Sequence, residues 1–136
     1  MKTKLIISVI LMAIFTIPLS ATTFYVNHTT GNDLNNGLFP AFTTGINGPK
    51  KTIQAAVNLA KNLDTIFISP GLYAESIIID SQLVVIGSGS QNDTINNTVV
   101  QAPVSGNGNG ITINKGGISA TSRFYISNIL VRNFSN

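Results

Sequence analysis

The chain has no cysteine, no tryptophan, one histidine and five acidic residues among its 136 positions. Without cysteine no disulfide can hold it, so stability must come from a packed core or from repeats stacked on repeats. His28 is the sole histidine, which excludes a metal site of several histidines and a triad needing a second one. The missing tryptophan leaves Tyr25, Tyr73 and Tyr125 as the tyrosines available to stack on a sugar ring, although each also suits a packing role. Acids are absent beyond residue 95, where the bases are Lys115, Arg123 and Arg132.

What is present begins with an address. Lys2 and Lys4 precede an uncharged run from Leu5 to Leu19, which ends at Pro18-Leu19-Ser20-Ala21. A basic start, an apolar stretch shorter than the ~20 residues that span a bilayer, and a small residue at the break predict a secretory signal peptide over residues 1–21, cut after Ala21. A stable membrane span is therefore not expected in the processed chain. Cleavage removes two of the eight basic residues; the remaining six against five acids give +1, so the pI near 9.5 overstates the charge. Those six bases are scattered apart from Lys50-Lys51. A nucleic-acid binder would cluster them on one face, so no nucleic-acid partner is expected.

Residues 22–48 read as a leading strand, Thr23–Val26, followed by an irregular loop. Gly31-Asn32-Asp33-Leu34-Asn35-Asn36-Gly37 is turn chemistry, and its acids and amides do not have calcium-loop spacing. From residue 49 to 136 the pattern is a short helix followed by strands. Ile53, Ala56, Val57 and Ala60 form one helical face, with Thr52 as N-cap and Asn62 as a left-handed stop. Short β-branched runs follow at residues 65–68, 76–79, 83–86, 98–101, 111–113 and 124–126, with another starting at Ile129 after a bend at Ser127-Asn128. Ile66 to Val99 is 33 residues and Val99 to Leu130 is 31, a period suited to stacked coils of three strands. The fold class expected is therefore all-β, a right-handed parallel β-helix with an N-terminal capping α-helix, of which about two coils are present. Sixteen asparagines and twelve glycines supply its turns.

Several motifs in this order carry a family resemblance. Thr23–Gly37, Lys51-Thr52-Ile53-Gln54-Ala55-Ala56, Asp64-Thr65-Ile66 and Pro70-Gly71-Leu72-Tyr73-Ala74-Glu75 resemble the N-terminal region of secreted bacterial pectin-lyase-like β-helix proteins. Leu63 departs from that pattern, where a glycine commonly precedes the Asp-Thr pair. The resemblance implies an extracellular or cell-surface protein that recognises or processes polysaccharide. It also implies that catalytic and calcium-binding residues, in members that have them, lie on later coils.

Accordingly no catalytic, cofactor or metal residue is assigned here, and calcium is expected only in a longer form. Asp64 and Asp80 could meet only in a folded coil, and turn or cap hydrogen bonds are the simpler role for them. Glu75 lacks a catalytic partner and is placed to hold backbone, while Pro70-Gly71 makes a turn over which Tyr73 packs. Asn92-Asp93-Thr94 only superficially matches a methylesterase motif; His28 is expected in solvent. Asn114, Asn128 and Asn133 sit at bends, where they form or stack in turns. The reading is thus the N-terminal portion of a polysaccharide-directed β-helix without a complete active site. Its alternative is a non-enzymatic surface, adhesion or structural repeat protein, and self-association through an open β-helix end is the third expectation.

Overall fold

The computed structural model describes residues 20–103, 109–115 and 124–134. Eight strands and one short helix occur among them: β1 (Thr23–Val26), α1 (Ile53–Leu59), β2 (Thr65–Ile68), β3 (Gly71–Ala74), β4 (Ile77–Ile79), β5 (Val84–Gly89), β6 (Thr98–Gln101), β7 (Ile111–Ile113) and β8 (Tyr125–Arg132). The chain is all-β in character, and every strand pair is parallel. Six strands form one sheet in the order β1-β2-β5-β8-β6-β3, while β4 and β7 form a second.

Strand alternation decides what is buried. Phe24 and Val26 of β1, Ile66 and Ile68 of β2, and Val85 of β5 face inward and share one core with Tyr73, Ile77, Ile79 and Val100. In-register parallel pairing stacks like on like, Phe24 on Ile66 and Ile66 on Val85. Each fully buried aliphatic side chain contributes about 1.5–3 kcal/mol, which is how short strands without disulfides are held.

Helix α1 covers this core with Ile53, Ala56 and Val57, and Thr52 caps it by accepting a bond from Ala55 N at 3.2 Å. At seven residues it is too short to be stable alone, so its packing on the sheet sustains it. The expected left-handed stop at Asn62 does not form: α1 ends at Leu59 with Ala60 as an extended C-cap whose N–H donates to Ala56 O. The positive φ, 75°, falls at Leu63 in the turn that follows, where its N–H donates to Gln82 O. Asn62 instead accepts from Gln82 N through its side chain, at 3.0 Å.

The pairing also corrects the phase of the repeat. Ile66 pairs with Val85, 19 positions on, not with Val99, whose partners are Leu72 and Leu130. The 31-residue step from Val99 to Leu130 is real; the 33-residue step from Ile66 joins strands that do not pair. The miss arose at Gly71–Ala74, whose Pro-Gly start reads as a turn yet is strand β3. Residues 125–132 likewise form one kinked strand rather than two. Tyr125–Ser127 lie along β5, then Asn128 turns at φ 57° and Ile129–Arg132 lie along β6. This turn requires Gly87, because a Cβ there would overlap the Asn128 carbonyl oxygen.

Candidate functional site

The residues of β1, β2, β5 and β8 that do not face the core line up on the opposite face of the sheet. Pairing places Thr23, Thr65, Val84 and Tyr125 in one row and Tyr25, Phe67, Ile86 and Ser127 in the next. With strands about 4.8 Å apart, four of them offer a face about 14 Å across. Phe67 is 42% exposed and Tyr125 54%, while Tyr25 is half-buried. The Tyr25 and Phe67 rings stand 6.3 Å apart at 55°, and Ile86 continues their row. The result is an aromatic and aliphatic surface on a rigid parallel support.

Tyr125, to which the sequence also allows a packing role, is open to solvent; Tyr73 is the tyrosine that packs, at 2% exposure. The Tyr73 hydroxyl donates to Ser69 O at 3.0 Å and accepts from His28 N at 3.2 Å. Burial is the main reason its pKa is pushed up to about 12, opposed by the bond from His28 and assisted by the charge of Glu75. His28 is exposed, with its ring edge-on to Tyr73 at 5.8 Å.

The five acids are all occupied as hydrogen-bond acceptors. Asp33 accepts from Lys51 N, Thr52 N and the Thr52 hydroxyl at 2.8–3.0 Å. Glu75 accepts from Ile53 N and Gln54 N, both at 2.9 Å, so the two carboxylates together hold the first turn of α1. Burial raises the pKa of Glu75 despite those two bonds, and the Asp33 charge adds to the rise. Asp64 accepts from Thr22 N at 2.7 Å and Lys61 N at 2.8 Å. Asp80 accepts from Asn114 Nδ2 at 2.9 Å, a side-chain link between the ends of β4 and β7. Half-buried Asp93 accepts from Ile95 N and Asn96 Nδ2, and the Ile95 N–H is the main cause of its lowered pKa. Thus Asp64 is bonded to backbone groups and Asp80 to a side-chain amide.

The asparagine-rich loop is built by the same means. Buried Asn35 donates to Pro49 O at 3.0 Å, and Asn36 donates to Asn47 Oδ1 at 2.7 Å. Lys50, which no sequence signal marked, is buried, and its ammonium donates to Asp33 O at 2.7 Å. Asn133, like Asn128, adopts positive φ, at 59°. No group of three or more His, Cys, Asp or Glu side chains able to hold a metal lies among the described residues.

Clefts formed by the described residues include two of note besides the aromatic face. The larger, about 450 Å³, opens beside Thr22, Leu59, Lys61 and Asp64. The smaller, about 290 Å³, lies between α1 and Asp80-Ser81. On the outside of β6 and β8, Arg132 Nε donates to Gln101 Oε1 at 3.1 Å, and its Nη1 contacts Asn92 Oδ1.

Sequence reasoning singled out Tyr25 and Tyr125 but passed over Phe67. The signal was available: alternation in Thr65-Ile66-Phe67-Ile68 turns Phe67 away from two core isoleucines. No protein-family model, curated protein or solved structure matches this chain.

Proposed function

We propose that this protein is an exported right-handed parallel β-helix that binds polysaccharide across its aromatic face and performs no chemistry on it. The observation that carries the reading is the solvent-facing surface of Tyr25, Phe67, Ile86 and Tyr125 on in-register parallel strands. Aromatic faces offer flat apolar area at low entropic cost, and exposed clusters of them mark interaction sites. The parallel pairing of β3 with β6 and β4 with β7 supports a coiled path, and parallel crossovers are almost always right-handed. The order of motifs that resembles pectin-lyase-like proteins supports the same reading, as does the basic, apolar start of the chain. That the acids are engaged in holding turns and the helix favours binding over cleavage.

The experiment is titration calorimetry against soluble acidic and neutral polysaccharides, with product analysis of the same mixtures. Phe67→Ser and Tyr125→Ser should each weaken binding about tenfold, or about 1.4 kcal/mol, without unfolding the protein. Binding that neither substitution alters refutes the face as the site. Release of shortened chains refutes the non-catalytic part of the proposal.

A second reading, a surface adhesion protein, is favoured by one specific observation. The loop before α1 exposes Leu34, Phe42 and Ile46 at 82%, 59% and 61%. Such an apolar loop suits a protein partner better than a sugar. Loss of cell or matrix adhesion on polar substitution of Phe42 and Ile46, with glycan binding absent, would establish it.

A further inference from the structure

The larger cleft holds a buried carboxylate aimed at the start of the first strand. Asp64 is 5% exposed, and its Oδ1 lies 2.7 Å from the backbone nitrogen of Thr22. Its Oδ2 is taken by Lys61 N at 2.8 Å. Thr22 is otherwise fixed, since its carbonyl oxygen accepts from Thr65 N at 2.8 Å. Ser20 and Ala21, by contrast, are exposed. Among the described residues, the one other titratable side chain lining this cleft is Lys61.

We infer that Asp64 is a built-in counter-ion for the α-ammonium group created when the peptide bond between Ala21 and Thr22 is cut. The inference rests on the export reading above, with its cut after Ala21, and deepens it by giving the new terminus a partner in the fold. A processing protease would add water across that bond: the C–N bond breaks, hydroxide joins the Ala21 carbonyl carbon, and the proton goes to the Thr22 nitrogen. That amine takes a second proton at neutral pH, since its ordinary pKa is about 7.7–8.0. An uncharged amide N–H on Asp64 thereby becomes a full positive charge at the same place. The carboxylate makes this bond charge-assisted in both forms, and the new ammonium adds a full ion-pair attraction at the same nitrogen, with the carboxylate shielded from solvent. The uncut chain folds with the weaker contact; the cut chain folds with the stronger one.

The test begins with the exported protein purified from the medium, whose N-terminus is read by intact mass. Urea unfolding is then compared for chains beginning at Thr22, at Ser20, and at Thr22 with an acetylated amine, each with Asp64 and with Asp64→Asn. Expected is a start at Thr22 and a folding equilibrium constant about tenfold higher for the free Thr22 amine than for the other two forms. That advantage should vanish with Asp64→Asn, and in the Asp64 protein it should fade as pH rises through the ammonium pKa. The sign follows because the ion pair holds the proton on the folded amine. The contribution is complete below about pH 7.7 and lost above the raised folded value. If Asp64→Asn does not fold, the three N-terminal forms and their pH dependence still decide. A Thr22 start with no difference among the forms overturns the counter-ion role while leaving export intact. A start at another residue overturns the assignment of the cut, and retention of Met1 overturns the export reading with it.

Discussion

Replacing Tyr73 by phenylalanine removes one oxygen from the corner where β2 passes into β3, and its cost should reverse with pH. The hydroxyl links Ser69 O to His28 N across the chain. Ser69 O retains a second donor, Thr98 Oγ1 at 3.3 Å, and His28 is exposed enough for water to reach its N–H. The loss at pH 7 is therefore that of ordinary hydrogen bonds, about 1–1.5 kcal/mol, or a Tm drop of about 3–6 °C for a chain of this size. In alkali the balance shifts. The unfolded phenol gives up its proton near pH 10, the folded one only near 12. Between those values the unfolded state binds fewer protons, so rising pH favours unfolding. The contribution is whole below about pH 10 and gone above about 12, a loss approaching 3 kcal/mol. The Tyr73→Phe protein has no phenol to titrate and escapes that loss, so the two stability curves should cross near pH ~11. Other titrating groups are common to both proteins and cancel in the difference. Urea unfolding at pH 7, 9, 10 and 11, followed by circular dichroism, measures it. A difference that stays constant from pH 7 to 11 would refute the account of Tyr73 as a buried, proton-retaining link.

Two further outcomes follow from contacts already described. Gly87→Ala should lower stability by more than about 2 kcal/mol, because the added methyl must displace the Asn128 carbonyl; an unchanged Tm would disprove that approach. Glu75→Gln replaces one of the two oxygens that accept from Ile53 and Gln54 N–H by an amide donor, so it should destabilise the protein by up to about 1–3 kcal/mol. Burial raises the pKa of Glu75, so wild-type stability from this group is present below its ordinary value and lost as pH climbs through the raised one. The Gln penalty should thus be smaller at pH 7 than at pH 4, as chemical denaturation at both will tell.

Strand existence was readable because β-branched runs such as Thr65–Ile68 and Ile77–Ile79 admit few alternatives. The helix and its Thr52 cap were readable for a similar local reason. Which strand stacks on which was not, because equal apolar runs carry no partner label. Val85 and Val99 are equivalent neighbours for Ile66 by composition, and only the folded arrangement selects Val85. Leu63 shows a second limit. Asn62 has the better left-handed propensity, yet the bonds of its side chain and of Leu63 N to Gln82 move the positive φ to the less suited residue. For the candidate site, Tyr25 and Tyr125 were visible as residues, but a shared surface with Phe67 depends on register. The burial of Lys50 depends on loop carbonyls that no sequence pattern announces.

The kinked strand β8 sets an order of events for folding. It is the strand that joins β5 to β6, and without it the sheet order falls into β1-β2-β5 and β6-β3 as separate pieces. The closest pairing along the chain is β2 with β5, so loop closure favours that contact as the seed. Until the ribosome has released residues through Arg132, the inner faces on either side of the Asn128 bend cannot be locked together.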